Sequence, residues 1–112
     1  MNSLLMVMTQ MHTAPVIGEM SPPDFPTTPV QNRNDSPMTL TLGLWSIGGP
    51  TGFAWVDAGP IVIGPWATAV LEVTWLGNPN TVADATATVG WSVAGGGSGE
   101  VTAIAHHEAE GP

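Results

Sequence analysis

One cluster of side chains in this sequence could ligate a metal: His106-His107-Glu108-Ala109-Glu110. On an extended strand alternate residues share a face, so His106, Glu108 and Glu110 would project together. Imidazole with carboxylates is a donor set for zinc or nickel. Nothing in the surrounding sequence builds the shell that such a site needs, and a solvated acidic tail is the simpler reading, so no metal site is expected. Elsewhere in the chain, Asp35, Asp57, Glu72, Asp84 and Glu100 stand singly. A glycoside hydrolase would need two carboxyls facing each other across a cleft. Asp57, Glu72 and Asp84 would have to meet across strands to supply them, whereas spaced acids on a solvated β face account for all three. Ser46, Ser92 and Ser98 lie in no G-x-S-x-G context, and His12 is isolated near the start. Gly95-Gly-Gly-Ser-Gly-Glu100 has the glycines of a phosphate loop but no Lys, and an acid and a strand follow it. No catalytic residue and no cofactor are expected, and the chain reads as a non-enzyme.

Tryptophan is the other chemistry-bearing feature. There are five, with no Tyr and two Phe. Trp75 and Trp91 fall on apolar strand faces, where core packing is expected. Trp45 and Trp66 fall on the more polar faces of their strands. Together with Trp55 they are candidates for a subunit interface or for stacking on a sugar ring.

The elements that would position these residues follow from composition. Nine carboxylates face a single base, Arg33, for a net charge of −8. Nucleic-acid binders neutralise phosphates with Lys and Arg, so that class is excluded, and an anionic membrane surface is excluded by the same sign argument. No stretch approaches the roughly 18 apolar residues of a spanning helix. With 9% charged residues, salt bridges cannot set partner choice, which falls to Thr-rich strand faces and apolar burial. The chain has no Cys, so neither disulfides nor thiolates can staple it. A small β body without staples is marginal alone, which favours assembly with other subunits.

Three segments are expected. Residues 1–37 form an N-terminal arm. Its tip carries Leu4, Leu5, Met6, Val7, Met8 and Met11, which are too apolar to sit free in water and suited, through methionine, to an irregular groove. The tip has no positive n-region, and Thr9 and Gln10 break its apolar run, so it is not read as a signal peptide. The spacing of Leu4, Val7, Met8 and Met11 also fits a helix, and strand or helix stays open. Pro15 to Pro37 contains six prolines, which exclude helix and interior strand and favour an extended segment. It is either a linker or a docking arm, the latter using Pro22, Pro23, Phe25 and Pro26. Residues 38–107 form the β domain, with strands at Met38–Trp45, Phe53–Asp57, Ile61–Ile63, Trp66–Leu76, Val82–Ala94 and Glu100–His107, separated by Gly/Pro turns. Residues 108–112 form an acidic tail. The fold class is all-β, a small antiparallel β-sandwich or barrel behind the extended proline-rich arm.

In plan, the chain resembles the small decoration (cement) proteins of tailed-bacteriophage heads. The resemblance rests on about 110 residues, a Pro/Thr-rich N-terminal arm ending near Ser36-Pro37-Met38-Thr39-Leu40, and a compact Gly- and Thr-rich β body. It implies a virion structural protein on the outer capsid surface that docks through its arm on the major capsid protein or on its own copies, often as trimers. The five tryptophans and the Met-rich tip are not required by that pattern, and no functional residue is carried over. On this reading, removal of residues 1–37 leaves a folded body that no longer attaches. The alternative is a secreted β-sandwich carbohydrate-binding module stacking sugars on Trp45, Trp55 or Trp66. A third reading has residues 2–14 donated to a neighbour's sheet as a strand.

Overall fold

The computed structural model describes residues 12–111. Seven strands account for its regular structure: β1 Thr27–Gln31, β2 Met38–Trp45, β3 Phe53–Trp55, β4 Ile61–Ile63, β5 Thr68–Trp75, β6 Ala83–Val93 and β7 Ser98–His107. They form two antiparallel sheets, ordered β1-β5-β3 and β4-β2-β6-β7. The only helical element among the described residues is a single 3₁₀ turn, Gly49–Thr51. The fold is all-β, as the period-two patterning predicts.

That patterning decides which side chains meet between the sheets. In β6, Ala85, Ala87, Val89 and Val93 point inward while Asp84, Thr86, Thr88 and Ser92 face solvent. In β5, Leu71 and Val73 are buried against the exposed Val70 and Glu72. Met38, Leu40, Phe53, Ile63, Ala103 and Ala105 complete the centre of the core. The β6–β7 hairpin is in register from Ala83↔His107 to Ser92↔Ser98. Its inward side chains are small, which lets the sheets approach closely and leaves room for the bulky residues of β2 and β3.

The main correction to the sequence reading concerns the arm. Residues 12–37 are not a separate segment. The structure builds them into the body, and Met20 and Val30 are each 0% exposed. β1 pairs with β5 from Thr27↔Glu72 to Gln31↔Thr68. Pro29 is tolerated because β1 is an edge strand, where a missing donor costs no ladder bond. The prolines do exclude an interior strand, but an edge strand lies within what they permit. Met20 bridges Ala105 in parallel, with Met20 N–H donating to Ile104 O at 3.0 Å and His106 N–H to Met20 O at 2.9 Å. Met20 therefore pairs with the free edge of β7 near its C-terminal end.

A buried polar node closes the other end. The Asn32 side chain, 0% exposed, donates to Ser36 O (2.8 Å), Ile63 O (3.0 Å) and Gly64 O (3.1 Å). Its carbonyl accepts from the Asn34 backbone (3.1 Å) and Asn34 Nδ2 (2.9 Å). Asn34 in turn holds Thr13, whose N–H donates to Asn34 Oδ1 at 2.7 Å. One amide thus ties the entry of the chain to the β1–β2 and β4–β5 connections.

Candidate functional site

An open apolar feature originates in a β-bulge. β2 and β6 are in register from Met38↔Val93 to Leu42↔Val89, and the register then slips so that Trp45 faces Ala87. Three residues on β2 span what two span on β6, so the strand carries one extra residue and its inward parity flips. Leu44 is thrown outward, 95% exposed, and Trp45 turns into the core at 6%. This corrects the expectation that Trp45 lies on a polar face: it is not a surface platform. Gly43 sits at the bulge because a Cβ there would run into the Thr88 carbonyl.

Trp55 locks the bulge by donating its indole N–H to Gly43 O at 2.8 Å. It is half-buried and packs on Trp45 with ring centroids 4.7 Å apart. The rings continue inward through Trp45–Phe53 (5.8 Å), Phe53–Trp75 (4.8 Å) and the stacked pair Trp75–His107 (4.7 Å, 16°). Where this row meets solvent, a cavity of about 630 Å³ opens, walled chiefly by Leu42, Leu44, Trp45, Phe53 and Trp55. No side chain of its lining is titratable, so it offers apolar contact and little else. Beneath it the Trp45 Nε1–H is closed to solvent and has no acceptor among the described residues. An unpaired buried donor costs about 1–3 kcal/mol, and covering an exposed leucine such as Leu44 returns about 1.5–3 kcal/mol. The second term favours an occupant that is apolar.

Trp66 has a different setting. It is 56% exposed and occupies the third position of the Gly64–Ala67 turn, closed by Ala67 N–H to Gly64 O at 3.1 Å. Its φ of 59° is a left-handed value that normally selects Gly or Asn. The indole donates to Asp35 Oδ1 at 2.9 Å, and Gln31 Nε2 donates to Trp66 O at 3.2 Å. Beside it, His12, Arg33, Asn34, Asp35 and Ser36 line a small polar cleft.

The other candidates separate. His106 and His107 point to opposite faces of β7. His106 Nδ1 meets Asp84 Oδ1 at 2.5 Å and Nε2 meets Glu108 Oε1 at 2.7 Å, while buried His107 meets Thr81 O at 2.7 Å and Glu110 Oε2 at 2.9 Å. The hydrogen bonds to Glu108 and then Asp84 hold the His106 imidazolium, raising its pKa above the ordinary histidine range. Glu108 and Glu110 are therefore split between the two imidazoles, His106 and His107, rather than gathered with His106 around one point. No group of three metal-ligating side chains forms among the described residues. The acids that follow His107 fold back on the body, with Glu110 N–H donating to Pro79 O at 2.8 Å. Glu72 lies on the outer face of one sheet and Asp84 on the outer face of the other.

Of the proposed arm residues, Pro22 is buried, Pro26 is half-buried with its carbonyl accepting from Val73 N–H at 2.9 Å, and Pro23 and Phe25 face solvent. Phe25 is 72% exposed. Leu4, Leu5, Met6, Val7, Met8 and Met11 lie outside the described residues. Nothing in the sequence pattern signalled the Leu42–Trp55 cavity, because a bulge erases the parity on which such reading depends. Gly43 in mid-strand was the available sign.

No protein-family model matches the chain, and no curated protein does. Solved structures do. The YadV chaperone superposes with a TM-score of 0.62 at 10% identity, over 90% of this chain and 53% of that one. The E. coli chaperone DraB gives 0.61 at 13% identity, over 89% and 57%. WR4, a C. elegans MSP family member, gives 0.59 at 10% identity, over 84% and 97%. The chain thus spans about half the length of the two chaperones and nearly all of WR4. At such identities the likeness establishes a shared β-sandwich fold and nothing of activity or partner.

Proposed function

We propose that the protein is a non-enzymatic structural subunit that docks on other protein subunits, with a virion decoration role on the outer capsid surface as its specific form. The observation that carries the proposal is the cavity between Leu42 and Trp55: open, apolar, without a titratable group, and beside a leucine left 95% exposed. A catalytic pocket needs convergent polar groups, whereas a protein interface needs an apolar centre free of charge. A net charge of −8 with one base is consistent with this division, since like-charge repulsion keeps copies apart until an apolar contact is made. Light scattering on the full chain across a concentration series tests it. The expected result is a mass that rises with concentration or settles at a closed oligomer. A monomer throughout removes self-association from the proposal and leaves only a foreign subunit, such as a capsid lattice, to dock on.

A second reading, glycan binding, has one observation in its favour. The fold brings Arg33, Asn34, Asp35 and Ser36 to the exposed Trp66, the pairing of a stacking face with hydrogen-bonding groups that sugar sites use and that sequence order conceals. Titration of tryptophan fluorescence with neutral oligosaccharides tests it, and a response that persists in Trp66→Ala refutes that location.

A further inference from the structure

We propose that residues 108–111 form a proton-held strap, locked to one end of the sandwich through His106 and His107 and released when the two imidazoles lose their protons. The strap is independent of the docking function proposed above.

Each ring has an oxygen at both of its nitrogens. His106 Nδ1 meets Asp84 of β6 at 2.5 Å, and its Nε2 meets Glu108 of the strap at 2.7 Å. His107 Nδ1 meets the Thr81 carbonyl at 2.7 Å, and its Nε2 meets Glu110 of the strap at 2.9 Å. A neutral imidazole carries one N–H and one bare lone pair, whereas a carbonyl or carboxylate oxygen only accepts. A neutral ring therefore satisfies one partner and turns a lone pair on the other. At His107 the Thr81 carbonyl requires the hydrogen on Nδ1. The Glu110 contact then closes only with a further proton between Nε2 and Oε2. At His106 a single N–H serves Asp84 or Glu108, not both. Each strap carboxylate is thus held by one proton beyond the neutral ring.

The surroundings supply no replacement for that charge. His106 faces Asp84 and Glu108, and the Met20 segment beside it offers a backbone carbonyl that accepts from His106 N–H. His107 is 0% exposed and stacked on Trp75, with Glu110 as its charged partner. Asp24 shares a hollow with Glu108 and Glu110, and Glu72 shares a second one with Glu110. No base lines either hollow among the described residues, and Arg33 lies in the Trp66 cleft instead. With both imidazoles neutral, Asp24, Glu72, Asp84, Glu108 and Glu110 repel one another without a cation between them. The bond from Glu110 N–H to Pro79 O at 2.8 Å is then left to hold the strap. Because the Glu108 and Asp84 bonds raise the folded pKa of His106, the strap is closed below the ordinary histidine value and opens as pH rises through the higher one. Opening takes Glu110 away from the hollow that Pro22, Pro26, Val73 and Trp75 line. Alkaline pH thereby uncovers a proline and aromatic surface that the strap borders when closed.

Spin labelling of the full chain tests the strap. The protein has no cysteine, so Ala109→Cys carries a single nitroxide there. Thr102→Cys, exposed on β7, carries the same label as a control for the body. Electron paramagnetic resonance spectra are recorded from about pH 5.5 to 8.5, the range of histidine titration. The Ala109 label is expected to be slow at the acid end and to gain a fast component as pH rises. The ratio of fast to slow should grow about ten-fold per pH unit between the free and held histidine values. The Thr102 label is expected to stay unchanged. In Glu108→Gln/Glu110→Gln each ring faces an amide, which can donate to a bare nitrogen or accept from an N–H. The pH response of the Ala109 label should vanish in that variant. An Ala109 label that is unchanged across the range overturns the proposal. So do labels at 102 and 109 that quicken together, because the body then melts with the strap. A response that survives in Glu108→Gln/Glu110→Gln also overturns it, since release would not run through these carboxylates.

Discussion

Asn32→Ala offers the sharpest test of whether residues 12–37 belong to the cooperative body. The Asn32 amide donates to three carbonyls, of Ser36, Ile63 and Gly64, and accepts two donors from Asn34. Alanine removes all five contacts. Relaxation and water can rescue the outer ones, but the bonds to Ile63 O and from the Asn34 backbone are buried. Two buried groups left unsatisfied cost about 1–3 kcal/mol each, so a loss of about 4 kcal/mol is expected. Against a total stability of about 5–15 kcal/mol, that is a large share. It corresponds to a fall in Tm of about 15–30 °C. Urea unfolding followed by tryptophan fluorescence reads it as a lower midpoint with unchanged slope. Asn32→Asp is the companion variant. It keeps the acceptor but turns an anion toward three carbonyl oxygens, so its carboxyl pKa is raised in the folded state. Stability should then fall as pH rises from below the unfolded value of about 3.9 through the raised folded value. A loss below about 1 kcal/mol for Asn32→Ala, or a separate early transition, would refute the reasoning and return this segment to a loosely attached arm.

Met20→Ala should cost about 2–5 kcal/mol by opening a cavity under β7, and removal of residues 1–37 should unfold the protein, both read by circular dichroism; a folded truncated body would contradict the burial of Met20 and Val30. Gly43→Ala drives a Cβ into the Thr88 carbonyl and should cost about 1–3 kcal/mol in chemical denaturation, with loss of the bulge rather than of the sheet. The raised pKa of His106 gives stability that is fully present below the unfolded pKa of about 6.5 and is lost as pH rises through the higher folded value. Thermal melts across neutral pH should therefore fall on the alkaline side, and His106→Gln should flatten the slope; an unchanged slope in the variant assigns it to another group.

The β domain was legible because its strands alternate cleanly. Met38–Trp45 and Ile61–Ile63 coincide with β2 and β4, and Leu71, Val73, Ala85, Ala87 and Val89 are buried as their parity predicts. β1 was not legible. A five-residue edge strand containing Pro29 reads as linker, since nothing local distinguishes a paired Pro-containing edge from free extended chain. What marks it as body is long-range: Val30 against the core and Asn32 reaching residues 63 and 64. The Trp66 cleft was hidden for the same reason, because Asp35 and Trp66 are separated by 31 residues and meet only through that node.

The bulge in β2 links these findings to the proposed function. Without the extra residue, strict alternation would bury Leu42 and Leu44 and turn Trp45 outward, giving an ordinary closed sandwich end. With it, the largest side chain of the strand enters the core and Leu44 leaves. The indole that enters has no acceptor for its N–H, while the leucine that leaves has no apolar cover. Each is unfavourable for the isolated subunit, and both residues line the same cavity. Trp55, by bonding to Gly43 O, holds the strand in this arrangement instead of letting it relax. A fold optimised only for its own stability would have little reason to keep the two defects side by side. On the docking function proposed above, an apolar partner surface that covers Leu44 offsets the second of these.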